Sequence, residues 1–156
     1  KLARRGINLD LGAEQDLMRM IKVEDAMTEN VMTITPERPL EVALQIIEDT
    51  GHMGLPVVND KGELGGIITW ADIHIAVLRH ERHLTVGDYY VTDLITITPK
   101  ENLAQALDSL GYREISHLPV VDKTNQKKLV GIITKGDIVK AYNRQRLLRK
   151  QMSWQE

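Results

Sequence analysis

Apolar positions along this chain follow two rhythms. Leu40, Ala43, Leu44 and Ile47 fall at i, i+3, i+4 and i+7, which predicts one buried face of a helix. Gly51 stands where that helix should stop. Val31 to Thr35 is a short β-branched run closed by Pro36 and reads as a strand. Leu55 to Val58 is a continuous apolar run, the mark of a buried strand. Asn59-Asp60-Lys61-Gly62 is the turn out of it, and Leu64 to Ile68 is the returning strand. A second helix is expected from Trp70 to about Arg79, with Ile73, Ala76 and Val77 inward. Glu14 to Ile21 is helical by composition.

The pattern then recurs. VEDAMTENVMTITPERPLEVALQ from Val23 returns as VGDYYVTDLITITPKENLAQALD from Val86, and LPVVND at Leu55 returns as LPVVDK at Leu118, an offset of 63 residues. GIITWADI at Gly66 returns as GIITKGDI at Gly131, an offset of 65, because the loop Thr124-Asn125-Gln126-Lys127-Lys128 carries a two-residue insertion. Leu103, Ala106, Leu107 and Leu110 form the matching helical face. Val120-Val121 and Val130 to Ile133 are strands, and Ile138, Val139 and Ala141 belong to the last helix. The tail after Tyr142 continues as a basic helix or frays.

Each copy is therefore strand–helix–strand–strand–helix, in an α/β fold. Two helices cover one sheet face and the other needs a mate, which the second copy supplies. A unit of about sixty residues is marginal alone, so one fused module is expected rather than two beads. The expected organisation is an N-terminal linker over 1–22, repeats over 23–83 and 84–143, and a basic tail over 144–156. Such a duplication also creates two related clefts between the copies.

Composition narrows the function classes. A net charge of −2 over 156 residues gives no global sign of nucleic-acid binding. Basic runs sit at the two ends, Lys1 with Arg4-Arg5 and Arg144 to Lys150. The chain has no cysteine, which excludes disulfides, thiolate metal sites and a cysteine nucleophile, and fits a reducing compartment. No stretch approaches the roughly 18–20 apolar residues that span a bilayer, and no signal peptide is visible. The first residue is Lys1 rather than Met, so the chain reads as a piece of something longer.

The sharpest chemical feature is Thr69-Trp70-Ala71-Asp72, matched by Thr134-Lys135-Gly136-Asp137. In both, a buried strand ends in Thr and an acid follows three residues later as a helix begins. This is the pattern of a helix N-cap, with the acid near the positive helix end. The unpaired amides also make a ready anion site: a carboxylate can take both hydroxyls of a ribose while Thr and the amides take phosphate. Lys135 at the first helical position opposes the helix dipole, a cost that a bound anion would remove. No catalytic set assembles, with no nucleophile–base pair, GxGxxG or Walker lysine, so the chain reads as non-enzymatic. His80 and His83 share a helical face at i, i+3, without a third ligand at useful spacing, and no metal site is expected. His52 and His117 precede the two Leu-Pro strands and are expected to line the clefts.

Two copies of a TITP–amphipathic helix–LPVV–GIIT-x-x-D unit over about Val23 to Tyr142 resemble a tandem pair of cystathionine β-synthase (CBS) domains, the Bateman module. The resemblance implies two βαββα units packed sheet to sheet about a pseudo-twofold axis, often assembled as homodimers, with no required cofactor. It also implies a regulatory role as a sensor of adenosyl ligands such as AMP, ADP, ATP or S-adenosylmethionine. Carried over by position, the ribose acid of a primary cleft is Asp137, with Thr134 and Lys135 facing phosphates and Met32, Thr33, His52, Met53, Gly54 and Pro56 about the adenine. The secondary cleft maps to Thr69, Asp72, Ile95, Thr96, Ile115, Ser116, His117 and Pro119, with Trp70 in place of the lysine.

The leading segment KLARRGINLDLG is similar to the stretch that leads from the last membrane helix of chloride-channel (ClC) family proteins into their cytoplasmic CBS pair. That similarity implies a membrane channel or transporter domain upstream and a place at the cytoplasmic face of a membrane. The rival expectations are a dimerisation scaffold that binds no ligand and a regulatory insert of a metabolic enzyme.

Overall fold

In a computed structural model, residues 12–81, 83–112 and 115–155 are described, the side chains of 153–155 excepted. Along the chain the regular elements are α1 (12–20), α2 (Leu40–Thr50), β1 (Gly54–Val58), β2 (Leu64–Thr69), α3 (Trp70–Leu78), α4 (Leu103–Tyr112), β3 (His117–Val121), β4 (Leu129–Thr134) and α5 (Lys135–Gln155). Single 3-10 turns lie at Val23–Asp25 and Val86–Asp88. Among the described residues, two compact units emerge: 29–96 with 121–131 in one, and 12–28, 97–120 and 132–155 in the other.

In the first unit, α2 buries Leu40, Ala43 and Ile47, with Leu44 half-buried, as its periodicity requires. Its stop is Gly51, at φ 74°, whose N–H donates to the Ile47 carbonyl at 2.8 Å. A side chain would be strained in that left-handed conformation. β1 is buried along its whole length and pairs antiparallel with β2, from Gly54 opposite Thr69 to Val57 opposite Gly66. The turn between them closes with Gly62 N–H donating to the Asn59 carbonyl at 2.9 Å. Gly66 is required by contact: a Cβ there would collide with the Tyr90 ring and the Val91 carbonyl. The core joins Ile34, Leu55, Val57, Ile68, Ile73 and Val86 to the α2 face.

Two expectations are corrected in this unit. Val31 to Thr35 is not a strand. Only Ile34 pairs, its N–H donating to Pro56 O at 3.1 Å and its carbonyl accepting from Val58 N–H at 2.9 Å. Pro36 lacks the N–H that would extend the ladder. α3 ends at Leu78, and His80 takes φ 58° beyond it, so His80 and His83 do not share a helical face.

The inserted loop of the second repeat also belongs here. Leu64 N–H donates to the Lys127 carbonyl at 2.8 Å, and Glu63 bridges Lys128 antiparallel. The extra residues thus extend the pairing at the start of β2.

In the second unit, α4 buries Leu103, Ala106 and Leu110, and α5 buries Ile138 and Ala141. β3 and β4 form a second two-stranded sheet. Residues before the first repeat's α2 complete this core. Leu17, Ile21 and Val23 are buried, Val23 N–H donates to Glu101 O at 2.7 Å, and Thr28 exchanges hydrogen bonds with Ile132 at 2.9 and 3.0 Å. Residues 12–20 are helical, as expected, and the basic tail continues as helix to Gln155. Val139 is 55% exposed because it lies one residue, about 100° of helix, from buried Ile138. Ile47 and Leu110 are buried by their own chain, as the helical spacing predicts. Leu44 and Leu107 remain partly uncovered.

Candidate functional site

Each Thr-x-x-Asp segment sits where a buried strand passes into a helix. In the first unit, Asp72 Oδ2 accepts from Thr69 N–H at 2.9 Å and from Thr69 Oγ1 at 2.8 Å, and Asp72 N–H donates back to Thr69 Oγ1 at 3.3 Å. In the second unit, Asp137 Oδ2 accepts from Thr134 N–H at 3.0 Å and Asp137 N–H donates to Thr134 Oγ1 at 3.2 Å. These reciprocal capping boxes each stabilise a helix start by about 1 kcal/mol. Among the described residues, the hydrogen bonds to the two carboxylates fall on Oδ2. A carboxylate has about four acceptor directions, so capping and binding a diol through Oδ1 are compatible.

The residues that follow the two threonines differ in kind. Lys135 is exposed at the first position of α5. Trp70 holds that position in α3 and stacks on His74, ring centroids 4.7 Å apart and planes 13° from parallel. Sequence reasoning missed this pair, although its i, i+4 spacing is the signal for contact along a helix. The Trp70 N–H donates to the Met53 carbonyl at 2.8 Å, so the peptide before β1 lies against the start of α3.

The remaining predicted residues divide between the units. In the first, Met32, Thr33, His52 and Met53 are exposed, Gly54 and Pro56 are buried, and Ile95 and Thr96 are half-buried. In the second, Ile115 is half-buried, Ser116 Oγ lies 2.8 Å from His117 Nδ1, and the Pro119 carbonyl accepts from Ile97 N–H at 3.1 Å. Thr69 is thus joined to Asp72, Thr134 to Asp137 and Ser116 to His117. Among the described residues, no three His, Asp or Glu side chains gather as metal ligands, and no helix is long and apolar enough to cross a membrane.

The sequence profile of the CBS domain matches residues 23–79 and 86–144. The chain belongs to the CBS-domain family and carries its domain as a tandem pair. It is 34% identical over 127 residues to the inosine-5'-monophosphate dehydrogenase of Thermoplasma acidophilum, covering 81% of this chain and 25% of that enzyme. This chain therefore spans about a quarter of that relative's length. Its fold is similar to that of CBSX2 from Arabidopsis thaliana solved in complex with AMP, with a TM-score of 0.73 and 27% identity, covering 81% of this chain and 98% of the other. It is also similar to the CBS pair of protein MJ0100 in complex with 5'-methylthioadenosine and S-adenosyl-L-methionine. The TM-score there is 0.72 at 27% identity, covering 80% of this chain and 97% of that one.

Proposed function

We propose that this CBS pair is a non-enzymatic regulatory module that senses an adenosine-based ligand, with Asp137 and Asp72 as the ribose acids of two unlike clefts. The observation that carries this reading is the duplicated cap in which Thr and Asp engage one another through Oδ2, with Oδ1 taking no hydrogen bond among the described residues. The complexes of CBSX2 with AMP and of MJ0100 with adenosyl compounds support the ligand class. In the primary cleft, Thr134 and Lys135 take phosphate, while Met32, Thr33, His52, Met53, Gly54 and Pro56 surround the base. In the secondary cleft, Thr69 and Asp72 act with Ile95, Thr96, Ile115, Ser116, His117 and Pro119. The module works as a homodimer, and the ligand shifts the activity of an attached domain. Calorimetric titration with ATP, AMP and adenosine tests the reading: saturable heat supports it, and no heat with any of them leaves a scaffold.

The attached domain has two candidates. The ClC reading, with its cytoplasmic membrane-side location, rests on the KLARRGINLDLG segment, nearly all of which lies outside the described residues. Regulation of a metabolic enzyme is favoured by the relationship to inosine-5'-monophosphate dehydrogenase. The coding sequence upstream of Lys1 decides between them, an apolar membrane helix favouring the channel and a soluble catalytic domain the enzyme.

A further inference from the structure

We propose that the pocket at the turn end of β1 and β2 is a further ligand site, one that takes an apolar α-amino acid. The pocket holds about 230 Å³. That is below the roughly 300–1,000 Å³ of sites for drug-sized ligands, so it suits a small metabolite rather than a nucleotide. Pro36, Val57, Leu64 and Tyr90 supply apolar walls, and Glu63 and Lys127 line it with opposite charges. All of these residues belong to the first unit, and none is among those assigned to the two clefts. β1 runs between this pocket and the Asp72 cap. Gly54 pairs with Thr69 at the cap end and Val58 with Leu64 at the pocket end, about 13 Å along the strand.

Three features that open and charge this pocket fall where the two copies differ. Gly65 lines it without a side chain, where the second copy has Val130. Tyr90 stands in the place of Met27, and Lys127 belongs to the loop that is longer by two residues. The shared fold therefore does not require them. Leu64 N–H donates to the Lys127 carbonyl at 2.8 Å, which fixes that loop at the pocket rim. Asn59 Nδ2 donates to Glu63 Oε1 at 3.0 Å. Among the described residues, Glu63 Oε2 and Lys127 Nζ have no hydrogen-bond partner, and the two charges do not pair with each other. A zwitterion answers both at once, its carboxylate taking Lys127 and its ammonium Glu63. Its side chain fills the apolar interior, where Tyr90 offers a ring to an aromatic group. A phosphate ester would gain Lys127 but face the Glu63 carboxylate.

The test is calorimetric titration of the 156-residue chain with L-phenylalanine and L-leucine. 3-Phenylpropionate and phenethylamine, which lack the ammonium and the carboxylate in turn, are titrated beside them. Saturable heat is expected with an amino acid, and about tenfold weaker binding with each truncated ligand. Lys127→Met and Glu63→Gln should each weaken the amino acid about tenfold. Gly65→Val should abolish binding by placing in the pocket the side chain of the second copy. A Cβ at Gly65 comes no nearer than 3.8 Å, to the Val57 carbonyl, so the fold should stand, and circular dichroism checks this. If Gly65→Val unfolds, the exposed Lys127→Met carries the test. No saturable heat with either amino acid, truncated ligands that bind as well as phenylalanine, or unchanged binding in Lys127→Met or in folded Gly65→Val would overturn the proposal. So would loss of amino-acid binding in Asp137→Ala or Asp72→Ala, since the ligand would then occupy a Thr-x-x-Asp cleft. AMP titration of Lys127→Met reads those clefts separately, so either reading can fail without the other.

Discussion

Trp70 and His74 stack within α3, centroids 4.7 Å apart, at the helix start where α5 carries Lys135. The two related helix starts therefore offer different surfaces. One presents a cation that would meet phosphate. The other presents an aromatic face already engaged with an imidazole.

The two proposed clefts should therefore bind ligand unequally. Asp137→Ala should weaken ATP binding by about ten- to a hundredfold, the scale of losing charge-assisted hydrogen bonds in a shielded site. Asp72→Ala should leave that binding event nearly unchanged. Calorimetric titration of both variants checks this, and loss through Asp72→Ala alone would mean that the clefts are assigned the wrong way round.

Lys135 is predicted to read phosphate rather than base or sugar. Lys135→Ala should weaken ATP about tenfold while adenosine binding barely moves. Placing lysine in the other copy, as Trp70→Lys, should raise ATP affinity at the Asp72 cleft. Equal losses for ATP and adenosine in Lys135→Ala would assign the lysine a purely structural role.

Gly66 should tolerate no side chain. Gly66→Ala drives a methyl into the Tyr90 ring and the Val91 backbone, where β2 exchanges hydrogen bonds between Ile67 and Val91 at 2.8 and 2.9 Å. Overpacking of this kind costs about 1–3 kcal/mol. Urea unfolding should show a lower midpoint with an unchanged slope; an unshifted midpoint would mean that the Tyr90 loop moves aside freely.

The Glu24–Lys100 pair should make stability depend on pH at both extremes. Lys100 Nζ donates to Glu24 Oε1 at 2.8 Å. That hydrogen bond holds the Glu24 carboxyl below its ordinary value and raises the Lys100 ammonium above its own. A depressed carboxyl stabilises the fold above its unfolded pKa and loses that contribution as pH falls through its folded pKa. A raised ammonium stabilises below its unfolded pKa and loses the contribution as pH rises through its folded one. Lys100→Met should therefore lower the melting temperature slightly at neutral pH. The difference from wild type should shrink both in acid, as Glu24 protonates, and in strong base. A difference constant with pH would point to packing instead.

Elements specified by neighbours in sequence were legible before any coordinates. Leu40, Ala43 and Ile47 face inward because helical spacing puts them on one side, and Gly51 ends α2 because the left-handed turn there strains any other residue. The reciprocal Thr69–Asp72 and Thr134–Asp137 caps also follow from spacing, since residues three apart at a helix start can reach each other's backbone. The duplication itself, and with it the family, was written in the repeat.

Tertiary structure decided what depends on distant partners. Val31 to Thr35 has strand-like side chains, yet only Ile34 finds acceptor and donor on the chain beside it. Leu107 and Val139 are as apolar as their buried neighbours, but they stand at the margin or far side of helices whose orientation the core sets. The Thr124–Lys128 loop, longer by two residues than its counterpart, meets Glu63 and Leu64, some sixty residues earlier. Local spacing specifies which backbone groups and side chains share a face. Which of those faces is covered depends on contacts between residues far apart in the chain, and no local pattern encodes them.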